Sequence, residues 1–392
     1  MVAALLAGSA RAQQPARETA ARPWPGPTGW RDAGLAPCRG VTIGPIENAR
    51  HPGRGYGSRP YERAVVEAAR MGATWVSLTP FGRVMDLAPS GVERSFEAPF
   101  DDNRKAIRRA VALAHAAGLK VLIVPHLWVE SGDWRALIDP GSDAAWARWA
   151  SSYRAFVEDW ATVAEEAGAD MFSVGVEQRK WVTTQHAPLY RAVIAAARSR
   201  YHGPLTYSGN WDDAASTVIW GDLDVIGINA FYPLADKDGA GFDRLLEGGQ
   251  RVATQVRELS ETWQRPVLFA EIGYTTRPNP AIKPWEWPDS MTDVKVDEGA
   301  QADAYAALIA PLLSLPGFAG FFVWRLYADP DDTSQEAEWG FSPRGKLAEL
   351  VLRDAFATRW ASDLVHLPGD SLIAPAAERP GFLDGPLLPP WW

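Results

Sequence analysis

The sequence predicts an α/β chain closed into a (β/α)8 TIM barrel, and three observations carry that reading. Short apolar runs alternate with stretches of helical period from Val41 to Phe356. Eight such runs are present, and buried runs separated by helices imply a parallel sheet covered on both faces. Neither a G-x-G-x-x-G turn after the first run nor a Walker-type loop occurs, so the signatures of an open doubly wound nucleotide-binding sheet are missing.

The elements follow in order. Val41–Ile43 is the first strand, and Tyr61–Met71 reads as a helix because Ala64, Val65 and Ala68 fall on one face. Thr74–Leu78 is the second strand. Asp102–Ala117 repeats the helical period through Ile107, Ala110, Val111 and Ala114 before the strand Val121–Val124. Trp146–Ala167 does the same through Trp149, Tyr153, Phe156, Trp160, Val163 and Ala164 before Met171–Val176. Gly72, Gly118 and Gly168 each close one of these helices, where a left-handed residue suits the turn into the next strand. Strands are then expected at Leu205–Ser208, Val225–Asn229, Val267–Glu271 and Phe318–Trp324, with helices at Leu189–Arg200, Phe242–Trp263, Gly299–Leu312 and Lys346–Phe356.

The domain is expected to occupy residues 40–361. Before it, residues 1–39 read as a leader: the apolar Val2–Ala7 and the small-residue pattern Ala10-Arg11-Ala12 resemble the back half of a secretory signal peptide that lacks its basic start, so export is expected. After it, residues 362–392 form a Pro-rich tail without periodicity. No window approaches the roughly 18 consecutive apolar residues of a membrane span, so no membrane anchor is expected.

Composition narrows the partner. A net charge of -9 without a block of Lys and Arg removes the electrostatic footprint of nucleic-acid binding. A single cysteine, Cys38, allows neither an internal disulfide nor a thiolate metal site, and the six His lack H-E-x-x-H-type spacing, so no metal or cofactor is expected. The outlier is 19 Trp. Most belong in the core, but a few are available for a ligand that is apolar on one face and polar at its rim, as a sugar is.

Two acids stand at strand ends. Glu177 follows the fourth strand and Glu271 closes the seventh, which in this barrel places both at the C-terminal mouth. Either one alone would be read as a structural ion pair, with Arg179 or Arg325 for example. Two carboxyl groups facing one cavity can instead perform glycosidic chemistry, one protonating the leaving oxygen while the other attacks the anomeric carbon or activates water. The expectation is Glu177 as acid/base, kept protonated by burial and by its partner's charge, and Glu271 as nucleophile, kept ionised by neighbours such as Tyr232. A separation of about 5 Å would imply retention of configuration and about 6.5–9.5 Å inversion.

The ordered set VPHLW, DWRALID (Asp133–Asp139), VGVE, LTYSGNWDD, LDVIGINAFYPL, FAEIGY, KPWEWP and FFVW resembles glycoside hydrolase family 113 over about residues 40 to 355. The resemblance implies a β-mannanase-like, retaining barrel glycosidase acting on carbohydrate, with Glu177 as acid/base and Glu271 as nucleophile. It also implies sugar contacts from His126, Trp128, Asn210, Trp211, Asp212, Asn229, Tyr232, Trp285 and Trp324. Asp212 could equally cap a turn, and His126 could be a hydrogen-bonded rim residue. Arg179 and Arg325 depart from the family pattern beside the cleavage point, and a polar rim decides which sugar hydroxyls are accepted. A β-glucosidase, glucanase or transglycosylase on the same barrel, and a non-catalytic sugar-binding barrel, are the alternatives.

Overall fold

The computed structural model describes residues 36–45, 52–95 and 98–366; nearly all of the expected leader and of the C-terminal tail lies outside them. Eight parallel strands close a barrel: β1 (Cys38–Gly44), β2 (Trp75–Leu78), β3 (Lys120–Ile123), β4 (Met171–Val176), β5 (Leu205–Asn210), β6 (Ile226–Asn229), β7 (Val267–Ile272) and β8 (Phe318–Tyr327). Each strand pairs with its sequence neighbours, and β8 returns to β1 with Val41 opposite Val323.

Around the barrel run α1 (Arg59–Arg70), α2 (Phe100–Ala116), α3 (Asp143–Ala167), the single turn α4 (Arg179–Val182), α5 (Ala187–Arg198), α6 (Phe242–Trp263), α7 (Glu298–Leu312) and α8 (Leu347–Ala357). The β5–β6 crossover carries only a 3-10 turn, Trp220–Asp222. Local chemistry starts and stops these helices. Ser58, Ser142 and Asp297 accept from the backbone N–H groups of Tyr61, Ala145 and Ala300 at the starts of α1, α3 and α7. The glycines expected after the first three helices all have positive φ, 91°, 80° and 71°.

Two apolar layers result. One fills the barrel interior with Cys38, Trp75, Leu122, Val124, Met171, Val176, Val225, Leu268, Ala319 and Phe322, and the larger lies between barrel and helices. Above the inner layer, hydroxyls pair across strands, Ser77 donating to Thr42 at 2.7 Å and Ser173 lying 3.2 Å from Ser208. Burial inside the barrel pushes the Cys38 thiol well above its usual range. Among the described residues seven tryptophans are fully buried, and the four exposed ones, Trp128, Trp134, Trp285 and Trp287, all stand on segments that follow strand ends.

Several differences from the sequence reading have local causes. β1 begins at Cys38, because its ladder with β8 runs from Cys38 opposite Gly320, so the domain starts before residue 40. Below it Arg39 forks onto Asp363 (2.7 and 3.1 Å) and stacks on Trp360 at 4.2 Å, which extends the folded unit past residue 361. A second, two-stranded parallel ladder was not expected: Phe81–Val84 pairs with His126–Val129 beyond the ends of β2 and β3.

The adjacent Gly248 and Gly249 inside α6 look unfavourable by helix propensity alone. A Cβ at Gly248 would meet the Leu234 carbonyl oxygen, and one at Gly249 the Ala307 carbonyl oxygen of α7, so the glycines are what lets α6 lie this close to its neighbours. Propensity favours Gly249→Ala by about 1 kcal/mol, whereas overpacking a closed contact costs about 1–3 kcal/mol. The clash is expected to dominate, so Gly249→Ala lowers the urea midpoint of unfolding; a raised midpoint would mean that the helices separate freely.

Candidate active site

The end of β4 is fixed from outside the barrel. Tyr153 of α3 and Tyr190 of α5 both donate to the Val174 carbonyl, at 3.1 and 3.0 Å. Their hydroxyls occupy the place a Cβ on Gly175 would need, so glycine is required there. The chain leaves the strand with Glu177 N–H donating to Ser208 O at 2.8 Å and Gln178 N–H to the Tyr207 hydroxyl at 2.5 Å. Glu177 itself takes φ 49°, an uncommon conformation for a side chain other than Gly, Asn or Asp, held by these contacts on both sides.

Glu177 is only 7% exposed and accepts three hydrogen bonds. Trp134 Nε1 and Arg135 Nη1 both donate to Oε2 at 2.8 Å, and Asn229 Nδ2 donates to Oε1 at 3.0 Å. These three donors replace the water that the carboxyl group loses on burial. Its cationic partner is Arg135, whereas Arg179 is engaged by Asp212 and Asp213.

Glu271 lies on β7, opposite Asn229 in the β6–β7 ladder, and is also 7% exposed. Asn229 therefore touches both acids: it donates to Glu177 and stands beside Glu271. Among the described residues the side-chain partner of Glu271 is His126, with Nε2 at 3.2 Å from Oε1. The expected partner Tyr232 is buried instead against Trp211 and Phe269 and makes no hydroxyl bond among the described residues. Burial pushes the Glu271 carboxyl up, the Glu177 charge adds to this, and His126 and Arg135 oppose it. The donors thus concentrate on Glu177, whereas the sequence reading had assigned them to Glu271.

The His126 contact also fixes a proton count. Nδ1 lies 2.8 Å from the Val124 carbonyl, which can only accept, so Nδ1 carries hydrogen. A hydrogen bond between Nε2 and Oε1 then contains one proton: the pair is imidazolium with carboxylate, or neutral imidazole with carboxylic acid. The extra ladder makes this contact, since His126 opens the strand His126–Val129 and Phe81 faces it at 5.6 Å.

The remaining residues named from the sequence form a floor and a wall. Trp324, 6% exposed, stacks beside His126 with ring centroids 6.1 Å apart. Trp211 stacks on Trp285 at 5.7 Å and meets Tyr232 at 5.5 Å. Trp128 projects from the extra ladder with only an edge on Phe81, at the outer rim. Asn210 donates to Asp212 at 2.6 Å, and Asp212 also holds Arg179, so this pair braces the rim. Burial raises the neighbouring Asp213 carboxyl to about 6 against the pull of Arg179.

Trp134 and Arg135 were not singled out from the sequence, although both lie in the DWRALID segment; a Trp-Arg pair shortly after a strand end was the available signal. Two buried polar atoms beside the acids, Asn229 Oδ1 and Trp324 Nε1, have no partner among the described residues. Orphans of this kind at a mouth suit ligand hydroxyls. Among the described residues no group of three or more His, Cys, Asp or Glu is placed to hold a metal ion, and no helix is long and apolar enough to cross a membrane.

Known proteins share this architecture. The family model described as Glycoside Hydrolase Family 113 matches residues 54–346. The structure of the GH113 β-mannanase AaManA from Alicyclobacillus acidocaldarius, in complex with ManMIm, superposes with a TM-score of 0.70 at 26% identity, covering 82% of this chain and 97% of that one. A GH113 β-1,4-mannanase superposes with a TM-score of 0.69 at 22% identity, covering 82% and 99%. A search of curated proteins finds no match.

His126 lowers the Glu271 pKa, so in His126→Gln the carboxyl titration, followed by 13C NMR of labelled glutamate, is expected at higher pH than in the wild type. An unchanged or lower titration would remove His126 as its partner. The upward shift also has a stability sign. A raised folded-state pKa means stability is lost as pH rises through it, so Glu271→Gln is expected to raise the melting temperature at neutral pH. That advantage should shrink as the pH falls toward the ordinary glutamate value of about 4.3.

Proposed function

The chain belongs to glycoside hydrolase family 113, and from that premise we propose that this β-mannanase-like hydrolase cleaves β-linked mannose-containing chains with retention of configuration, through Glu177 and Glu271. The observation that carries this reading is two carboxyl groups at one barrel mouth, each 7% exposed and sharing Asn229 as a neighbour.

In the first step the Glu271 carboxylate attacks the anomeric carbon as the glycosidic C–O bond breaks, and Glu177 gives its proton to the leaving oxygen. In the second, Glu177 takes a proton from water, the water oxygen attacks the same carbon and the Glu271 ester bond breaks. Trp134, Arg135 and Asn229 hold the Glu177 carboxyl in place through both steps. Trp324 supplies the flat apolar face against which a sugar ring packs.

Glu177→Gln is expected to lose about 10²–10⁴-fold in kcat on β-1,4-manno-oligosaccharides, the usual contribution of a general acid. On a dinitrophenyl β-mannoside, whose leaving group needs no proton, the loss in the first step should be far smaller. Glu271→Gln should lose both activities, and 1H NMR of the earliest product released by the wild type should show the β-anomer. Early release of the α-anomer would replace retention by inversion, and full activity in either variant would remove that residue from the chemistry.

A further inference from the structure

Among the described residues, most cations around the mouth are neutralised by the protein itself. Arg83 pairs with Glu130, Arg135 with Glu177, Arg179 with Asp212 and Asp213, and Arg277 with Glu286. Arg325 is the exception among them. It follows Trp324 across a cis peptide bond near the end of β8. Its guanidinium carbon lies 4.7 Å from the Trp324 ring centroid, 4.6 Å from that of Tyr327 and 5.2 Å from that of Trp287.

Three rings therefore aim this cation without cancelling its charge. Nη2 donates to the Tyr327 hydroxyl at 2.6 Å, and that hydroxyl donates in turn to Glu336 at 3.3 Å. Glu336 is reached only through the phenol, and its other oxygen accepts from Ser342 N–H at 2.6 Å. Among the described residues no carboxylate lies within ion-pair distance of Arg325, Nη1 makes no hydrogen bond, and Nε is buried without a partner. A buried donor left unsatisfied costs about 1–3 kcal/mol. A planar guanidinium with free N–H groups matches a carboxylate in shape and charge better than it matches a neutral hydroxyl.

We propose that Arg325 binds a carboxylate carried by the substrate, so that the cleft prefers a manno-chain bearing a hexuronate beside the cleavage point over the neutral chain. The proposal rests on the hydrolase reading above and adds the charge of the substrate to it. Trp324 would lie under one sugar ring, and Arg325, the next residue, would meet the acidic edge of that ring or its neighbour. Arg325 is then a specificity-determining residue, and it takes no part in proton transfer.

The test is an internal competition. β-1,4-Mannohexaose and the same hexaose oxidised at C6 on a single residue are mixed, and mass spectrometry follows the depletion of each, which gives the ratio of their kcat/KM values. The wild type is expected to consume the oxidised chain faster, with cuts clustered next to the oxidised residue. In Arg325→Gln that ratio should fall about tenfold to a hundredfold, the range for a hydrogen bond between charged groups. Arg325→Lys, which keeps the charge, should retain part of the preference. Equal consumption by the wild type, or a ratio unchanged in Arg325→Gln, would overturn the proposal. If neither hexaose is cut, the hydrolase reading fails on this substrate, and tryptophan-fluorescence titration of both hexaoses decides the inference separately. Tighter binding of the oxidised chain that is lost in Arg325→Gln sustains it, and equal binding ends it.

Discussion

Two carboxyl groups are held nearly out of water within one barrel mouth, and the surrounding structure answers the cost of keeping them there. A carboxyl group taken out of water needs donors in place of the water it has lost. For Glu177 those donors come from three places: Trp134 and Arg135 on the segment after the extra ladder, and Asn229 at the end of β6. For Glu271 a single imidazole serves, which leaves its carboxyl pushed upward by burial. The two acids thus share the same exposure but differ in the number of donors that reach them.

The small outer ladder is best understood through this need. His126 lies beyond the end of β3 and would otherwise sit on an unsupported loop. Pairing His126–Val129 with Phe81–Val84 gives that segment strand geometry. The imidazole is then fixed by the Val124 carbonyl, the Trp324 ring and the Phe81 ring. The chain continues at once to Trp134 and Arg135, so one excursion above the barrel supplies partners to both acids.

How much of this was legible in the sequence depended on whether periodicity could see it. The eight strands and the long helices follow from runs such as Met171–Val176 and from the one-sided apolar face of α3, and α6 was bounded to the residue. Glu177 and Glu271 stood out because an acid closing a buried apolar run needs either a dedicated partner or a ligand to justify its burial. The extra ladder did not, since FGRV and HLWV are short and lack alternation, and the first contains a glycine. The partner of Glu271 was misassigned to Tyr232 because a sequence shows which residues reach the mouth but not which two meet across it. Trp134 and Arg135 escaped for the same reason: loop residues carry no period, and their role appears only once Glu177 is beside them.

The anchorage of β4 divides two tasks between different parts of the chain. Glu177 is positioned by hydroxyls of Tyr153 and Tyr190, which belong to the outer helices, whereas Trp128, Trp285 and Trp287 stand on segments that carry none of that load. The rim can therefore be altered without moving Glu177. The two tyrosines and Gly175 have no such freedom, because a change at any one of them moves the acid. The placement of Glu177 is thus set by the helical jacket, while the entrance is built on separate segments.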